Sequence, residues 1–220
     1  MITVILTLIF KREFSQKLPL IVRFINRFVL DRLQHIKVHR QDVFTLYCGR
    51  QGTGKTYSLV KHCCYLVHNC KYKHVISNMP IAMDDCNIEL CSTVDDFVYL
   101  AKNVTDCVFV IDELQNFVDS FKTPDDFYYI FCTLRKRNCI LLATSQMFDR
   151  VSVKLREQVN RVVFCKTYFG CLTLNKIFTE LELNNDKKIK MDNPVAVILS
   201  EKKLDVQSEK IREIYNTYSF

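Results

Sequence analysis

The sequence predicts an α/β fold in which a mainly parallel sheet carries helices on both faces. A glycine-rich segment, residues 49–56, lies between the apolar run 43–48 and a stretch with helical spacing. A second apolar run, residues 107–111, has no polar interruption, which is typical of a central parallel strand covered on both faces. Helix-like and strand-like segments alternate along the chain, which favours strand–helix–strand units and therefore a parallel sheet.

The glycine-rich segment matches the phosphate-loop pattern G-x-x-x-x-G-K-[ST] without a mismatch. Glycines let the backbone turn tightly so that N–H groups face phosphate oxygens, and the dipole of the following helix helps. Lys55 is placed to reach the β- and γ-phosphates, and the Thr56 hydroxyl to hold Mg²⁺. The flanking strand and helix disfavour an ordinary glycine-rich turn. The predicted nucleotide-binding residues are Gly49, Arg50, Gln51, Gly52, Thr53, Gly54, Lys55 and Thr56.

The length and the charge of the chain limit its possible architecture and partners. A chain of 220 residues, 49% hydrophobic, suits one domain with a sizeable core and short extensions at each end. The 31 lysines and arginines exceed the 24 acidic residues, which gives a net charge of +7. This excess favours a polyanion such as nucleic acid as a partner, and solubility alone is the alternative explanation.

The eleven cysteines lie mostly inside apolar runs, where a reduced cysteine acts as a small core residue. A nucleotide-binding chain belongs in a reducing compartment, so we expect no disulfides. The cluster His62, Cys63, Cys64, His68 and Cys70 suggests a metal site at first sight, but the sequence has no C-x-x-C pair. The cluster also falls on the helix after the phosphate loop. Helix packing is therefore the favoured interpretation.

The segment before the first core strand, residues 1–40, is predicted to be an amphipathic helical extension. Its apolar start, residues 1–10, is about half the ~20 residues that span a bilayer, and its charges follow that run instead of preceding it. We therefore predict neither a signal peptide nor a transmembrane helix. Residues 18–36 have a basic amphipathic pattern that suits packing on the core, with a membrane surface or a partner as alternatives.

The elements between the two apolar runs are predicted in order. The spacing predicts a helix over 57–69 and a strand over 74–78, which ends before Pro80. Residues 84–91 are predicted to be a loop. A helix over 93–102 follows, with Thr93 or Ser92 as its cap and two aspartates in its first turn.

Two acids end the second apolar run, which is the arrangement called Walker B. Asp112 is placed at the carboxyl end of the strand to hold Mg²⁺ through its water shell. Glu113 is placed to take a proton from the water that attacks the γ-phosphate. A mere turn is the alternative. A nucleotide kinase or a GTPase does not need the second acid, so the pair argues for an ATPase that drives motion.

The rest of the chain continues the alternation and then changes. Gln146, at the tip of the strand 139–146, faces the crevice of the phosphate loop and is a candidate γ-phosphate sensor, or else only ends the strand. Past Gly170 the pattern suggests short strands that include antiparallel pairing, and from Asp205 a helix that folds back on the body. The predicted elements are helices over 114–120, 124–137 and 151–158, and strands over 139–146, 161–166, 172–174, 176–183 and 194–200. The predicted division is an extension over 1–40, the ATPase core over 41–183, and a strand and helix packed on the core over 184–220.

Together these residues resemble the FtsK/HerA-like branch of P-loop ATPases, with its RecA-like core. Within it, the chain is similar to the Zot-like assembly ATPases of filamentous phages and the genome-packaging ATPases of small DNA viruses. The likeness covers residues 49–56; 75–81, a strand–Asn-x-Pro element; 110–117, a D-E-x-Q-x-F block; and 134–138 leading to 144–146. Zot-like proteins carry a membrane span after the ATPase domain. The sequence predicts no span here, which favours a soluble or partner-anchored packaging motor.

The resemblance implies a ring, a homo-hexamer, with ATP and Mg²⁺ at subunit interfaces. It also implies an arginine that reaches the γ-phosphate of the neighbouring subunit, for which Arg135, Arg137 and Arg156 are the candidates. The implied function is to move viral, phage or mobile-element DNA, gripped mainly by its phosphates. A capsid or membrane-bound assembly protein is a further expected partner. The expected location is the cytoplasm, of the host if the protein is viral, with the membrane periphery or the virion as alternatives.

Three other functions remain as alternatives. A small-molecule kinase on the same scaffold should have an acceptor pocket and a lid with arginines, and it would not need Glu113. A guanine-nucleotide switch is disfavoured because Asn175-Lys176 is followed by Ile177 and does not complete an N-K-x-D base reader. A non-enzymatic interaction protein that uses nucleotide only for stability is disfavoured by the intact Lys55 and Glu113.

Overall fold

The computed structural model describes residues 43–70, 72–118, 123–179 and 201–215. Within them, eight strands form one sheet in the order β3-β2-β4-β5-β1-β6-β7-β8. The strands are β1 (Phe44–Cys48), β2 (His74–Ser77), β3 (Asn87–Leu90), β4 (Cys107–Ile111), β5 (Ile140–Ser145), β6 (Arg161–Tyr168), β7 (Leu172–Thr179) and β8 (Glu201–Val206).

The six strands from β3 to β6 run parallel, and the other two add antiparallel pairs at one edge. Strands β1, β4 and β5 are buried along their whole length, as their uninterrupted apolar runs require. The sequence-based prediction of a mainly parallel sheet with a short antiparallel addition is therefore confirmed. The carboxyl ends of β1, β4 and β5 share one edge of the sheet, where Cys48, Ile111 and Ser145 end their strands.

Helices cover both faces of the sheet. On one face, α1 and α6 pack on a core that includes Tyr47, Val110 and Val163. On the other face, α2 to α5 enclose a cluster of phenylalanines whose rings meet edge-on or tilted, as in Phe97 against Phe109 at 5.3 Å. The helices are α1 (Lys55–Cys70), α2 (Val94–Ala101), α3 (Leu114–Phe117), α4 (Asp125–Thr133), α5 (Val153–Arg156) and α6 (Glu209–Ile214), with a 3₁₀ turn at Phe148–Arg150.

Local sequence signals explain several helix starts. The Thr93 hydroxyl accepts from the Asp96 N–H, and the Asp96 carboxylate accepts from the Thr93 N–H, so a capping box opens α2. Helix α1 carries Cys63 and Cys64 into the core, as the helix-packing interpretation expects of these two residues. All eleven cysteines are free.

The structure corrects three details of the prediction. The loop predicted over 84–91 contains β3, an edge strand whose residues stay partly exposed and therefore lack an apolar run. The two short strands predicted after Gly170 form one strand, β7, which pairs with β6 over its whole length. Strand β8 begins at Glu201, where no strand was predicted. The predicted extension over 1–40 and the predicted strand over 194–200 lie outside the described residues.

Candidate nucleotide-binding site

The loop between β1 and α1 lies at the carboxyl edge of the sheet and is closed by its own hydrogen bonds. The Arg50 carbonyl accepts from the Thr53 N–H at 3.3 Å, from the Thr53 hydroxyl at 2.7 Å and from Lys55 Nζ at 3.2 Å. Gly52 and Gly54 adopt φ values of 73° and 79°, in the left-handed region that favours glycine. The loop therefore turns back over the amino end of α1, where the first N–H groups lack helical partners.

Lys55 lies under this loop and is only 5% exposed. Its Nζ is 3.7 Å from Glu113 Oε1, so the predicted phosphate-binding cation contacts the predicted base across the site. A buried ammonium group is held here by one carboxylate and one carbonyl. A phosphate entering the loop would meet the same cation, because the amino end of α1 already favours an anion there.

Asp112 and Thr56 provide a pair of oxygen ligands suited to Mg²⁺. The Thr56 hydroxyl donates to Asp112 Oδ1 at 3.2 Å, and the Thr144 hydroxyl donates to the same oxygen at 2.6 Å. Magnesium in phosphate sites keeps several waters and takes one or two carboxylates together with substrate phosphates. One partly buried carboxylate beside a hydroxyl fits that donor set, and the predicted metal residues do lie together.

The ionisation of Asp112 also fits a cation site. Burial raises the pKa of the Asp112 carboxyl, and the nearby Glu113 raises it further, whereas the hydrogen bonds from Thr144 and Thr56 and the charge of Lys55 lower it. A buried carboxylate whose charged form is disfavoured gains most from a neighbouring cation. Mg²⁺ bound here would hold Asp112 ionised.

The backbone of Glu113 has a left-handed conformation with φ 51° and ψ 55°. Its N–H donates to the Thr144 hydroxyl at 2.8 Å, and the Gln115 amide donates to its Oε2. The turn directs the carboxylate towards Lys55 instead of along the strand. A non-glycine residue in this region is uncommon and costs free energy, which fits a side chain that the surrounding contacts hold for a chemical task.

Asn78 fixes the backbone that carries both acids. Its Nδ2 donates to the Asp112 carbonyl at 2.8 Å, and its Oδ1 accepts from the Asp112 N–H at 2.7 Å. The asparagine follows β2 directly and so joins the ends of two neighbouring strands. The sequence placed Asn78 only within a resembling segment, and assigned no function to Asn78, Thr144 or Gln115. For Asn78, the available signal was a polar residue directly after an apolar strand.

Replacing Asn78 with alanine is expected to lower the free energy of unfolding by about 2–4 kcal/mol, because two partly buried backbone groups of Asp112 lose their partners. Urea unfolding followed by circular dichroism measures the change. Asn69→Ala is the matched control, since the exposed Asn69 amide only reaches the Tyr65 carbonyl within α1. Equal stability of the two variants would contradict the bridging role of Asn78.

Gln146 lies directly after β5 at the carboxyl edge, as predicted, and is partly buried. Its Oε1 accepts from Arg150 Nη1 at 3.4 Å. Arg150 is an exposed cation near the site that the sequence analysis did not select. The sensing role of Gln146 stays a prediction.

The three predicted arginines do not meet the phosphate loop of their own chain. Arg137 lies at the amino ends of β4 and β5, the opposite edge of the sheet, and Arg135 precedes it in the same turn. Arg156 pairs with Asp149 at 2.9 Å, and its guanidinium lies over the Phe148 ring at 5.7 Å. Arg135 and Arg137 therefore do not lie beside the candidate nucleotide site of their own chain. The arginine finger stays a prediction.

Arg137 has a structural role within its own chain. Its guanidinium donates to the Ala101 carbonyl at the end of α2, and to the Val104 carbonyl at 3.0 Å from Nε and 2.6 Å from Nη2. The bond to Ala101 caps a carbonyl that the end of α2 leaves without a helical partner, and the bonds to Val104 hold the loop that follows α2. Arg135, by contrast, is exposed.

Arg137→Ala is expected to lower the free energy of unfolding by about 2–3 kcal/mol, since charge-assisted hydrogen bonds are lost and carbonyls are left without partners. Arg135→Ala should change it by about 0.5 kcal/mol or less, as is usual for an exposed side chain. Denaturant unfolding of both variants beside the wild type measures the difference. Loss of ATPase activity in folded Arg137→Ala, with stability unchanged, would reverse this assignment.

Two further kinds of feature, a metal-binding cluster and a membrane-spanning helix, are absent from the part of the chain that the structure describes. There, no group of three or more His, Cys, Asp or Glu side chains could hold a metal ion among themselves. None of the described helices combines the length and the apolar character that a membrane crossing needs.

Comparison with known proteins supports the fold. No protein-family model matches the sequence, and no curated protein matches it. Among solved structures, the N-terminal domain of zonular occludens toxin from Neisseria meningitidis superposes with a TM-score of 0.56 at 14% identity, over 78% of this chain and 97% of that one. The genome-packaging NTPase of Sulfolobus turreted icosahedral virus 2, in complex with ATPγS, gives 0.51 at 13% identity, over 69% and 96%.

A third structure, the DNA-packaging ATPase from Sulfolobus turreted icosahedral virus, gives a TM-score of 0.50 at 11% identity, over 78% of this chain and all of that one (100%). At these low identities, the superpositions establish the fold and not the activity. The P-loop NTPase fold and the likeness to Zot and viral packaging ATPases, predicted from sequence, are thereby confirmed.

Proposed function

We propose that this chain is an ATP-hydrolysing motor that moves viral, phage or mobile-element DNA during genome packaging or virion assembly. The observation that carries the proposal is the meeting of Lys55, Asp112 and Glu113 at one edge of the sheet, with Thr56 on the same carboxylate. The residues proposed as phosphate cradle, metal ligand and base therefore lie close together. These are the parts that phosphoryl transfer to water requires.

In this mechanism the loop N–H groups and Lys55 bind the β- and γ-phosphates. Thr56 and Asp112 would hold Mg²⁺, which would supply positive charge to neutralise the charge that develops on the phosphate oxygens. Glu113 accepts a proton from the attacking water, and Gln146 positions that water or senses the γ-phosphate. Thr144 orients both acids, since it bonds the Asp112 carboxylate and the Glu113 N–H.

The assembly we propose is a homo-hexameric ring with ATP between subunits. Charge on a transferred phosphate is stabilised by an arginine from the neighbour, and such a finger can contribute a rate factor on the order of 10³ or more. Of the three candidate arginines, Arg135 is exposed, and its side chain contacts no other group within the described residues. Arg137 and Arg156 already bind partners of their own chain. A capsid or membrane-bound protein would anchor the ring, in the cytoplasm or at the virion.

The experiment that tests the proposal is the ATPase rate of the purified chain with and without single- and double-stranded DNA, at several salt concentrations. We expect DNA to stimulate the rate, and the stimulation to fall as salt rises, because contacts to the phosphate backbone release counterions. The preferred strand form separates extrusion of single strands from duplex packaging.

The control is the Lys55→Ala variant, which should show no activity with or without DNA. A wild-type rate that no DNA changes would overturn the DNA-motor assignment. Screens of small phosphate acceptors would then test for a kinase.

A further inference from the structure

A cavity of about 440 Å³ opens on the phosphate loop from the side of the C-terminal segment. This volume lies within the range of about 300–1,000 Å³ that small-molecule sites occupy. One wall is the loop and the start of α1. The facing wall comes from residues far along the chain, Gln207, Arg212 and Tyr215.

The C-terminal segment is tied to the start of α1, directly after the Mg²⁺ residue Thr56. The Tyr57 hydroxyl accepts from the Ser208 N–H at 2.9 Å and donates to Asp205 Oδ2 at 3.4 Å. At the far end, the Ala82 N–H donates to the Ile214 carbonyl at 2.9 Å. These contacts fix the position of α6 relative to the phosphate loop.

Arg212 is held in one geometry although it lies on the surface. Its Nε donates to Gln207 Oε1 at 3.0 Å, and its Nη2 donates to the Gly170 carbonyl at 2.7 Å. The Gln207 amide in turn donates to Thr173 Oγ1 at 2.7 Å. The guanidinium is therefore preorganised at the rim of the cavity, so a ligand would not have to order it.

The direction of a bound nucleotide follows from the order of the strands. Asp112 follows β4, on one side of the phosphate loop, whereas Thr167 and Gly170 lie at the β6–β7 hairpin on the other side. The γ-phosphate and the metal belong at Asp112. The nucleoside end of the ligand must then extend away from Asp112, towards the hairpin and α6.

We infer that Arg212, positioned by Gln207, binds the nucleoside half of the nucleotide in cis, with its planar guanidinium against the base and Tyr215 closing the cavity. This inference rests on the proposed nucleotide-binding function. It adds that the nucleoside binds against the wall of the cavity that the C-terminal segment forms. Planar guanidinium groups stack on aromatic faces, which a lysine cannot reproduce. Tyr215 is 7% exposed and lines the wall as an aromatic ring.

The test compares two ligands that differ only in the nucleoside, MgATP and magnesium tripolyphosphate, by titration calorimetry. The Arg212→Ala and Arg212→Lys variants should each bind MgATP about tenfold more weakly than the wild type, with tripolyphosphate affinity within about twofold. Lys210→Ala, an exposed cation of the same helix outside the cavity, should match the wild type with both ligands. Unchanged tripolyphosphate binding also shows that the variants are folded.

Three results would overturn the inference. Unchanged MgATP affinity in both Arg212 variants would mean that the guanidinium does not touch the ligand. Equal losses for both ligands would assign Arg212 to the phosphates, and full recovery in Arg212→Lys would assign it a charge role without stacking. A wild type that binds neither ligand, or whose MgATP affinity Lys55→Ala leaves unchanged, would instead overturn the proposed function.

Discussion

Replacing Glu113 with glutamine is expected to lower ATP turnover by about a thousandfold while MgATP binding is retained. Glutamine keeps the size of the side chain and its contact with Gln115, but its amide cannot accept a proton from water at neutral pH. The change also removes the contact of 3.7 Å between Glu113 and Lys55. Lys55 is then free to meet phosphate, so MgATP affinity should equal that of the wild type or exceed it.

Two measurements check this prediction, single-turnover hydrolysis for the chemical step and calorimetric titration for binding. Glu157→Gln is the matched control, since it removes an exposed carboxylate in a turn after α5 and should leave the rate within about twofold. A Glu113→Gln protein that hydrolyses ATP as fast as the wild type would remove Glu113 from the mechanism. One that no longer binds MgATP would assign Glu113 to binding instead.

Replacing Gly54 with alanine is expected to abolish nucleotide binding and to lower the free energy of unfolding by about 2–5 kcal/mol. A Cβ at this position would lie 2.7 Å from Thr167 Oγ1 and 3.0 Å from Thr173 Oγ1, at a φ of 79°. Those two hydroxyls are bonded to each other at 3.2 Å, and Gln207 donates to Thr173. They cannot both move aside without breaking that network, so the loop must shift away from its phosphate-binding shape.

Gly52→Ala provides the control for Gly54→Ala. Gly52 has nearly the same φ, 73°, but a Cβ there would meet nothing within 4 Å. The Gly52→Ala substitution should therefore lower the free energy of unfolding only by the backbone strain, about 1 kcal/mol. Combining Gly54→Ala with Thr167→Ala removes the closest contact and should recover part of the stability. Equal losses in Gly52→Ala and Gly54→Ala would show that backbone strain alone sets the cost.

The central part of the fold was predictable from sequence because its signals are local. The apolar runs of β1 and β4 need burial on both faces, and the glycine spacing of residues 49–56 suits a phosphate loop wherever the strands lie. Strand β3 was missed because an edge strand needs no apolar run. Lys55 and Asp112 follow directly from these runs and lie at one edge of the sheet, and their roles stay predictions.

The remaining features of the site depend on contacts between segments that are far apart in the sequence. A parallel α/β core, a glycine-rich loop and two acids at a strand end were predictable from sequence, since each depends on a few consecutive residues. The folded structure showed that Asn78 and Thr144 hold those acids, that Arg137 lies at the opposite edge, and that Arg212 lines the same cavity as the glycine-rich loop. These contacts join residues more than thirty positions apart, and their partners depend on strand order, which no local pattern of side chains specifies.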